Sequence, residues 1–212
     1  MITLDIFSDP VCPWCYIGKA NLDRALEQIG DHPFVVAWHP FQLNPDMPKG
    51  GTDRRDYLEA KFGGKMNAAR AYAQVMEAGK AAGIDINIEG IERQPNTLDA
   101  HRLIHWAGLE GRQSAVVAAL FRAYFRDGKD IGDAGVLADL AEGAGMNRAV
   151  TARLLASEAD AEDIAARDLD ARHKGVKAVP TFLVARHYVV TGAQPPEFWA
   201  KVARDLAAQA QG

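Results

Sequence analysis

The sequence predicts an α/β domain interrupted by a large all-helical insertion. Three observations carry this reading. Strand-like runs occur only near the two ends of the 212-residue chain, a helix joins the first two of them, and the alanine-rich middle is almost free of strand signal. At ~150 residues per domain, the length suits one large domain with an insertion and is ample for a buried core. The expected division is 1–47 for the N-terminal part of the α/β domain, 48–157 for the helical insertion and 158–212 for the C-terminal part.

The segment Ile2–Phe7 mixes alternation with β-branched and aromatic residues and stops at Ser8-Asp9-Pro10, as a strand does. From Pro13 the apolar residues Ile17, Ala20, Leu22, Ala25, Leu26 and Ile29 recur at helical spacing until Gly30 ends the run. A second strand is expected over Phe34–Trp38, followed by an irregular, proline-limited exit, which completes a βαβ unit. Helices are then expected near 53–62, 65–82, 97–109, 112–127, 133–143 and 147–156, with Asn96 or Thr97 capping the third. Only the brief Ile84–Ile88 alternation in this block resembles a strand. A helix from about Ala159 to Arg172 ends at His173-Lys174-Gly175, where basic side chains and glycine suit a helix C-terminus. Strands over Thr181–Val184 and His187–Thr191 form a hairpin turning at Ala185-Arg186, and Pro195-Pro196 opens a last helix through Ala208.

Composition narrows the function. With 24 Lys and Arg against 28 Asp and Glu, a net charge of −4, 25% charged and 48% hydrophobic residues, the chain reads as an ordinary globular protein. This balance argues against nucleic acid or an anionic membrane as the main partner. Its longest unbroken apolar run, Ala115 to Phe121, is far short of the ~20 residues of a membrane span. No basic stretch precedes the first apolar residues and Asp5 and Asp9 interrupt them, so the expected location is cytoplasmic.

Chemistry concentrates at Cys12-Pro13-Trp14-Cys15, which holds both cysteines of the chain. A link across so short a loop restrains the unfolded chain little, leaving redox chemistry or metal binding. Cys12 opens the first helix, where unpaired N–H groups and the positive end of the helix dipole favour thiolate over thiol. Pro13 suits the first turn because its missing N–H has no intrahelical partner there. Cys15 lies deeper on the same turn, so that one thiol attacks and the other resolves. The competing reading is a zinc site completed by His101 and His105, four apart on a predicted helix, although the gap to the cysteines far exceeds zinc-finger spacing. Without a metal, the two histidines read as one exposed ring and one packed against Trp106. Val179-Pro180, at the start of a strand, reads on its own as an ordinary trans proline.

The motifs Asp9-Pro10-Val11-Cys12-Pro13-Trp14-Cys15-Tyr16-Ile17-Gly18, Phe41-Gln42-Leu43-Asn44-Pro45, Asn96-Thr97-Leu98-Asp99-Ala100-His101-Arg102-Leu103, Gly175 to Phe182 and Gly192-Ala193-Gln194 occur in this order over nearly the full length. Together they resemble the thioredoxin fold as elaborated in the DsbA family, most closely its FrnE-like branch. The resemblance implies a thiol–disulfide oxidoreductase with Cys12 as nucleophile and Cys15 as resolving thiol. It also implies a cis Val179–Pro180 bond beside Cys12, with Pro13, Trp14, Val179 and Pro180 meeting the substrate. Asn96 and His101 are open to two roles, substrate contact or helix cap and packing, and Gln194 is a weaker candidate. Ala178 departs from the glycine the family commonly carries before Val-Pro. The implied partners are protein thiols and disulfides or low-molecular-weight thiols. No cofactor is implied beyond the Cys12–Cys15 disulfide, with glutathione as a co-substrate, and a homodimer is one assembly open to the chain. Kappa-class glutathione transferases and 2-hydroxychromene-2-carboxylate isomerases share the layout but typically carry serine at the position of Cys12 and lack the second cysteine. The intact pair favours disulfide exchange over that alternative, and over a non-catalytic polypeptide-binding module built around Trp14.

Overall fold

The computed structural model describes residues 1–209. Four strands form one mixed sheet in the order β2-β1-β5-β6, from β1 (Ile2–Ser8), β2 (Phe34–Pro40), β5 (Thr181–Val184) and β6 (Tyr188–Thr191). Strand β1 runs parallel to β2, with Ile2 opposite Phe34 and Ser8 opposite Pro40, and antiparallel to β5, with Phe7 opposite Thr181. Helix α1 (Pro13–Ile29) links β1 to β2 and packs against the C-terminal helix α9 (Pro196–Gln209). Alternation puts Leu4 and Ile6 of β1 into the core, where Phe182 and Val184 of β5 join them, and Trp199 of α9 stacks edge-on to Phe182.

Between β2 and β5 the chain is mostly helical. Its helices are α2 (Arg54–Phe62), α3 (Lys65–Ala82), α4 (Leu98–Leu109), α5 (Gln113–Phe121), α6 (Ala134–Gly143), α7 (Arg148–Leu155) and α8 (Ala161–His173). Side-chain caps begin three of them: Asp53, Asp133 and Asn147 accept from the N–H of Asp56, Val136 and Val150. Buried Arg102 joins α4 to the turn after α7 through the carbonyls of Leu154, Ser157 and Ala159, with Asp99 as its ion-pair partner.

Four details depart from the sequence expectation. The insertion is not purely helical, because Thr52–Asp53 (β3) pairs antiparallel with Arg93–Gln94 (β4). Two-residue strands are too short for any periodicity, and only the fold brings these together. Ile84–Ile88 forms no strand: Ile86 is buried against Gly79 of α3, and Asn87 donates its N–H to the Phe125 carbonyl before a 3₁₀ turn over Ile88–Gly90. Burial of alternate residues therefore mimics a strand pattern without a pairing partner. The helix expected over 112–127 widens into a π-helical turn at Arg122–Arg126, where Asp127 N–H reaches the Arg122 carbonyl. Helix α8 starts at Ala161 because Asp160, in left-handed conformation, turns to accept from Trp106 Nε1 at 2.7 Å.

The β5–β6 hairpin turns on Ala185 (φ 53°) and Arg186 (φ 60°), both left-handed positions where glycine or asparagine is the usual choice. A side chain there costs roughly 1–2 kcal/mol, partly offset by the extra freedom glycine has in the unfolded chain. Arg186→Gly is expected to stabilise by ~0.5–1 kcal/mol and raise Tm by about 1–4 °C in a thermal melt. An unchanged or lowered Tm contradicts the strain reading.

Candidate active site

The turn between β1 and α1 sets the site. Asp9 accepts the Cys12 N–H through its backbone carbonyl at 2.9 Å, and Cys12, extended at φ −89° and ψ 113°, is the N-cap of α1 with Pro13 in the first turn. The N–H groups of Cys15 and Tyr16 close onto the Cys12 carbonyl, but the Cys12 sulfur makes no capping hydrogen bond. Instead the thiol donates to the Val179 carbonyl at 3.6 Å, across 167 residues of sequence. The Val179–Pro180 peptide bond is cis, and Thr181 Oγ1 donates to the Ala178 carbonyl to fix the loop before β5. Gly18 of α1 lets Pro180 pack close: a Cβ added there would stand 3.2 Å from Pro180 Cγ.

The two cysteines are not bonded to each other and both are buried, Cys12 at 3% and Cys15 at 1% exposure. They differ in what they face. Cys12 lines a cleft of ≈ 360 Å³ together with Val11, Pro13, Trp14, Leu43 and Val179, and walls from α2 and α3 including Tyr57, Lys61 and Tyr72. Cys12 thus faces this cleft, whereas Cys15 is not among its lining residues. Burial pushes the Cys15 thiol well above the ordinary cysteine range, and hydrogen bonding to Cys12 and its charge push the same way. The Ser8 hydroxyl and the Asp9 backbone N–H partly offset these.

Beneath the turn, Asp9 is fully buried. Its Oδ2 accepts from the Leu43 N–H at 2.7 Å, while Oδ1 faces His101 Nε2 at 3.6 Å without a hydrogen bond. Leu43 belongs to the β2 exit, which α8 clamps from the other side. Asp168 accepts the Gln42 N–H, and Arg172 bonds both Asp168 and the Gln42 carbonyl while lying over the Phe41 ring. The Asn44 side chain accepts from the Tyr57 hydroxyl at 2.9 Å, tying that exit to the cleft wall.

Of the residues expected to meet substrate, Pro13, Trp14 and Val179 line the cleft with Cys12, and Trp14 is exposed. Pro180 is buried behind Val179. Asn96 and His101 do not line the cleft. Asn96 donates to the Met47 carbonyl at 2.6 Å and accepts from the Leu98 N–H, so it, rather than the N-cap Thr97, supplies a side-chain bond at the start of α4. His101 is 3% exposed and faces Asp9, and Gln194 folds back onto the Thr191 carbonyl. The zinc alternative is overturned by position. His105 points to Arg167, and no group of three or more His, Cys, Asp or Glu able to hold a metal is found among the described residues. The α2–α3 wall was not legible beforehand, since Tyr57 with Lys61 and Tyr72 with Val75 read as ordinary surface-helix spacings.

Comparison with known proteins gives a consistent result. The family described as "DSBA-like thioredoxin domain" matches residues 3–203. A probable DsbA oxidoreductase from Streptomyces coelicolor is 31% identical, with a TM-score of 0.84 over 97% of this chain and 89% of the other. At 20% identity, the cytosolic disulfide reductase DsbM from Pseudomonas aeruginosa with GSH superposes at a TM-score of 0.68 over 99% of this chain and 100% of that one. A 2-hydroxychromene-2-carboxylate isomerase, 16% identical, superposes at 0.75 over 99% of this chain and 98% of the other, and shares the fold.

Burial weakens the Cys15 thiol as an acid. At about pH 8.5, where a free thiol is half ionised, Cys15 stays mostly protonated and resists alkylation. In the unfolded chain Cys15 ionises first, so its contribution to stability is complete below the ordinary thiol pKa and lost as pH rises from there toward the raised value. Mass-spectrometric mapping of iodoacetamide labelling near pH 8.5 is expected to find Cys15 far less modified in the folded than in the unfolded chain. Equal labelling in the two contradicts the burial argument.

Proposed function

Because the chain belongs to the DSBA-like thioredoxin-domain family, we propose that it is a thiol–disulfide oxidoreductase working through Cys12 and Cys15. The carrying observation is that Cys12, at the start of α1 and with its sulfur against the Val179 carbonyl, lines the cleft while the buried Cys15 does not. In the oxidising direction a substrate thiolate attacks the Cys12–Cys15 disulfide at Cys12, Cys15 leaves, and a second substrate thiol then displaces Cys12 to give the substrate disulfide and the reduced pair. Reduction runs the same steps backwards. Cys15 is the resolving thiol in that direction, and its raised pKa keeps it protonated until the mixed disulfide forms.

Pro13, Trp14, Val179 and Pro180 are assigned to substrate positioning, because three of them line the cleft and Pro180 backs it. Asn96 and His101 are assigned to support of the site through Met47 and Asp9. Protein thiols or small thiols such as glutathione are the partners; that the DsbM neighbour was captured with GSH supports a small thiol. The cytosolic setting of that neighbour supports a cytoplasmic location. No helix among the described residues is long and apolar enough to cross a membrane.

Cys12→Ser is expected to lower exchange with glutathione disulfide by at least ~100-fold, the loss of the attacking thiolate. Cys15→Ser is expected to accumulate a mixed disulfide at Cys12, read as added mass on the intact protein. Exchange that survives in Cys12→Ser overturns the assignment, and glutathione-dependent isomerase turnover that survives in Cys15→Ser favours the isomerase alternative.

A further inference from the structure

Arg54 opens α2 with its side chain almost wholly enclosed, the residue being 2% exposed. Its Nη1 donates to Gln94 Oε1 at 2.8 Å and to the Tyr124 hydroxyl at 2.5 Å, and its Nη2 to the Tyr72 hydroxyl at 2.6 Å. Both tyrosine rings lie within 5.4 Å of the guanidinium carbon. The Nε atom has no partner, and no carboxylate pairs with the group among the described residues. The tyrosines do not supply the missing charge, because burial raises the pKa of both. A buried cation is ordinarily paired, since its desolvation is otherwise uncompensated.

Two of these partners, Tyr72 and Gln94, are walls of the cleft over Cys12, so a fixed positive charge stands one hydrogen bond behind the lining. Lys61 and Lys177 line the same cleft. Both are exposed, and neither forms an ion pair among the described residues; Lys61 Nζ is oriented by the Tyr57 hydroxyl at 2.9 Å. The lining contains no aspartate or glutamate. Asp9, the carboxylate behind the Cys12 turn, is occupied by the Leu43 N–H and faces His101. In a chain of net charge −4, a cleft whose charged lining residues are both lysines runs against the average surface. The N-terminus of α1 adds to its sign.

We propose that this cleft is an anion subsite, and that the thiol or disulfide exchanging at Cys12 is a low-molecular-weight compound bearing a carboxylate. Lys61 and Lys177 hold the carboxylate in the field of Arg54 while the substrate sulfur reaches Cys12. The proposal rests on the disulfide-exchange reading and adds to it the charge class of the substrate. A cleft of ≈ 360 Å³ suits a small molecule. Starting from the reduced protein, the Cys12 thiolate attacks one sulfur of RSSR and RS⁻ departs. Cys15, its proton passed to solvent, then attacks the Cys12 sulfur and expels the second RS⁻, so two electrons move from the protein pair to two RSH.

The test uses the full chain, reduced, with three symmetric disulfides of similar size: 3,3′-dithiodipropionate, 2-hydroxyethyl disulfide and cystamine. Each rate is divided by the rate of the same disulfide with free 2-mercaptoethanol, which removes intrinsic reactivity. The expected order is anion over neutral over cation, with about tenfold or more between the ends, the scale of electrostatic steering into a charged cleft. In the double variant Lys61→Glu/Lys177→Glu the anion-to-cation ratio is expected to fall below one. Arg54→Met risks the fold, so the buried arm is read through Tyr72→Phe, which removes the hydroxyl between Arg54 and the cleft and is expected to lower the ratio several-fold. Equal normalised rates for the three disulfides in the wild type overturn the proposal, as does an anion preference undiminished in both variants. Oxidation by none of the three overturns the exchange reading itself, an outcome distinct from loss of charge preference alone.

Discussion

The antiparallel pairing of β1 with β5 is the constraint on which the site depends. With Phe7 opposite Thr181, the segment leaving β1 and the segment entering β5 meet at the same edge of the sheet, and the sulfur of Cys12 comes within 3.6 Å of the Val179 carbonyl. Nothing local brings these atoms together. The chain must travel through the eight α-helices α1 to α8 and return before the turn at Cys12 has its second wall, so the site exists only when the sheet has closed. A cysteine at a helix start is common enough, but one pressed against a loop from the far end of the chain is held in a single orientation.

Asp9 shows how that orientation is maintained. Its carbonyl holds the Cys12 N–H, one carboxylate oxygen holds the N–H of Leu43, and the other faces His101. A single buried residue therefore stands between the Cys12 turn, the exit from β2 and helix α4. Burying a carboxylate is costly unless it is engaged, so the Leu43 N–H that Oδ2 accepts ties the Cys12 turn to the β2 exit by the penalty of separating them. Asp168 and Arg172 repeat the device on the outer side of the β2 exit. The motif residues Gln42, Asn96 and His101 do not line the cleft and instead neighbour Leu43, Met47 and Asp9.

Much of this was legible in the sequence where one residue type has one physical use. Alternation in Ile2–Phe7, the apolar spacing after Pro13 and the glycines at helix ends placed most elements to within a residue or two, and Cys12 before Pro13 marked the start of α1. What escaped depended on tertiary partners. The β3–β4 ladder is too short to leave a period, Ile86 alternates because α3 covers it, and Asp160 trims α8 because Trp106 needs an acceptor. The depth of Cys12 also escaped, since helix-start geometry speaks of charge and not of the α2–α3 wall raised over it.

That wall divides the labour of the site. The sheet, α1 and the loop before β5 carry Cys12 and Cys15, on a fold shared with neighbours that have only 16–20% of the sequence in common. Residues contributed by the helical insertion, Tyr57, Lys61, Tyr72 and the enclosed Arg54 behind them, supply the shape and charge of the approach. Changes in the insertion can therefore alter which molecule reaches Cys12 without disturbing the β1–β5 register that positions it. A fold of this construction separates reactivity from selectivity, because the first is set by backbone pairing and helix geometry and the second by side chains from a different stretch of the chain.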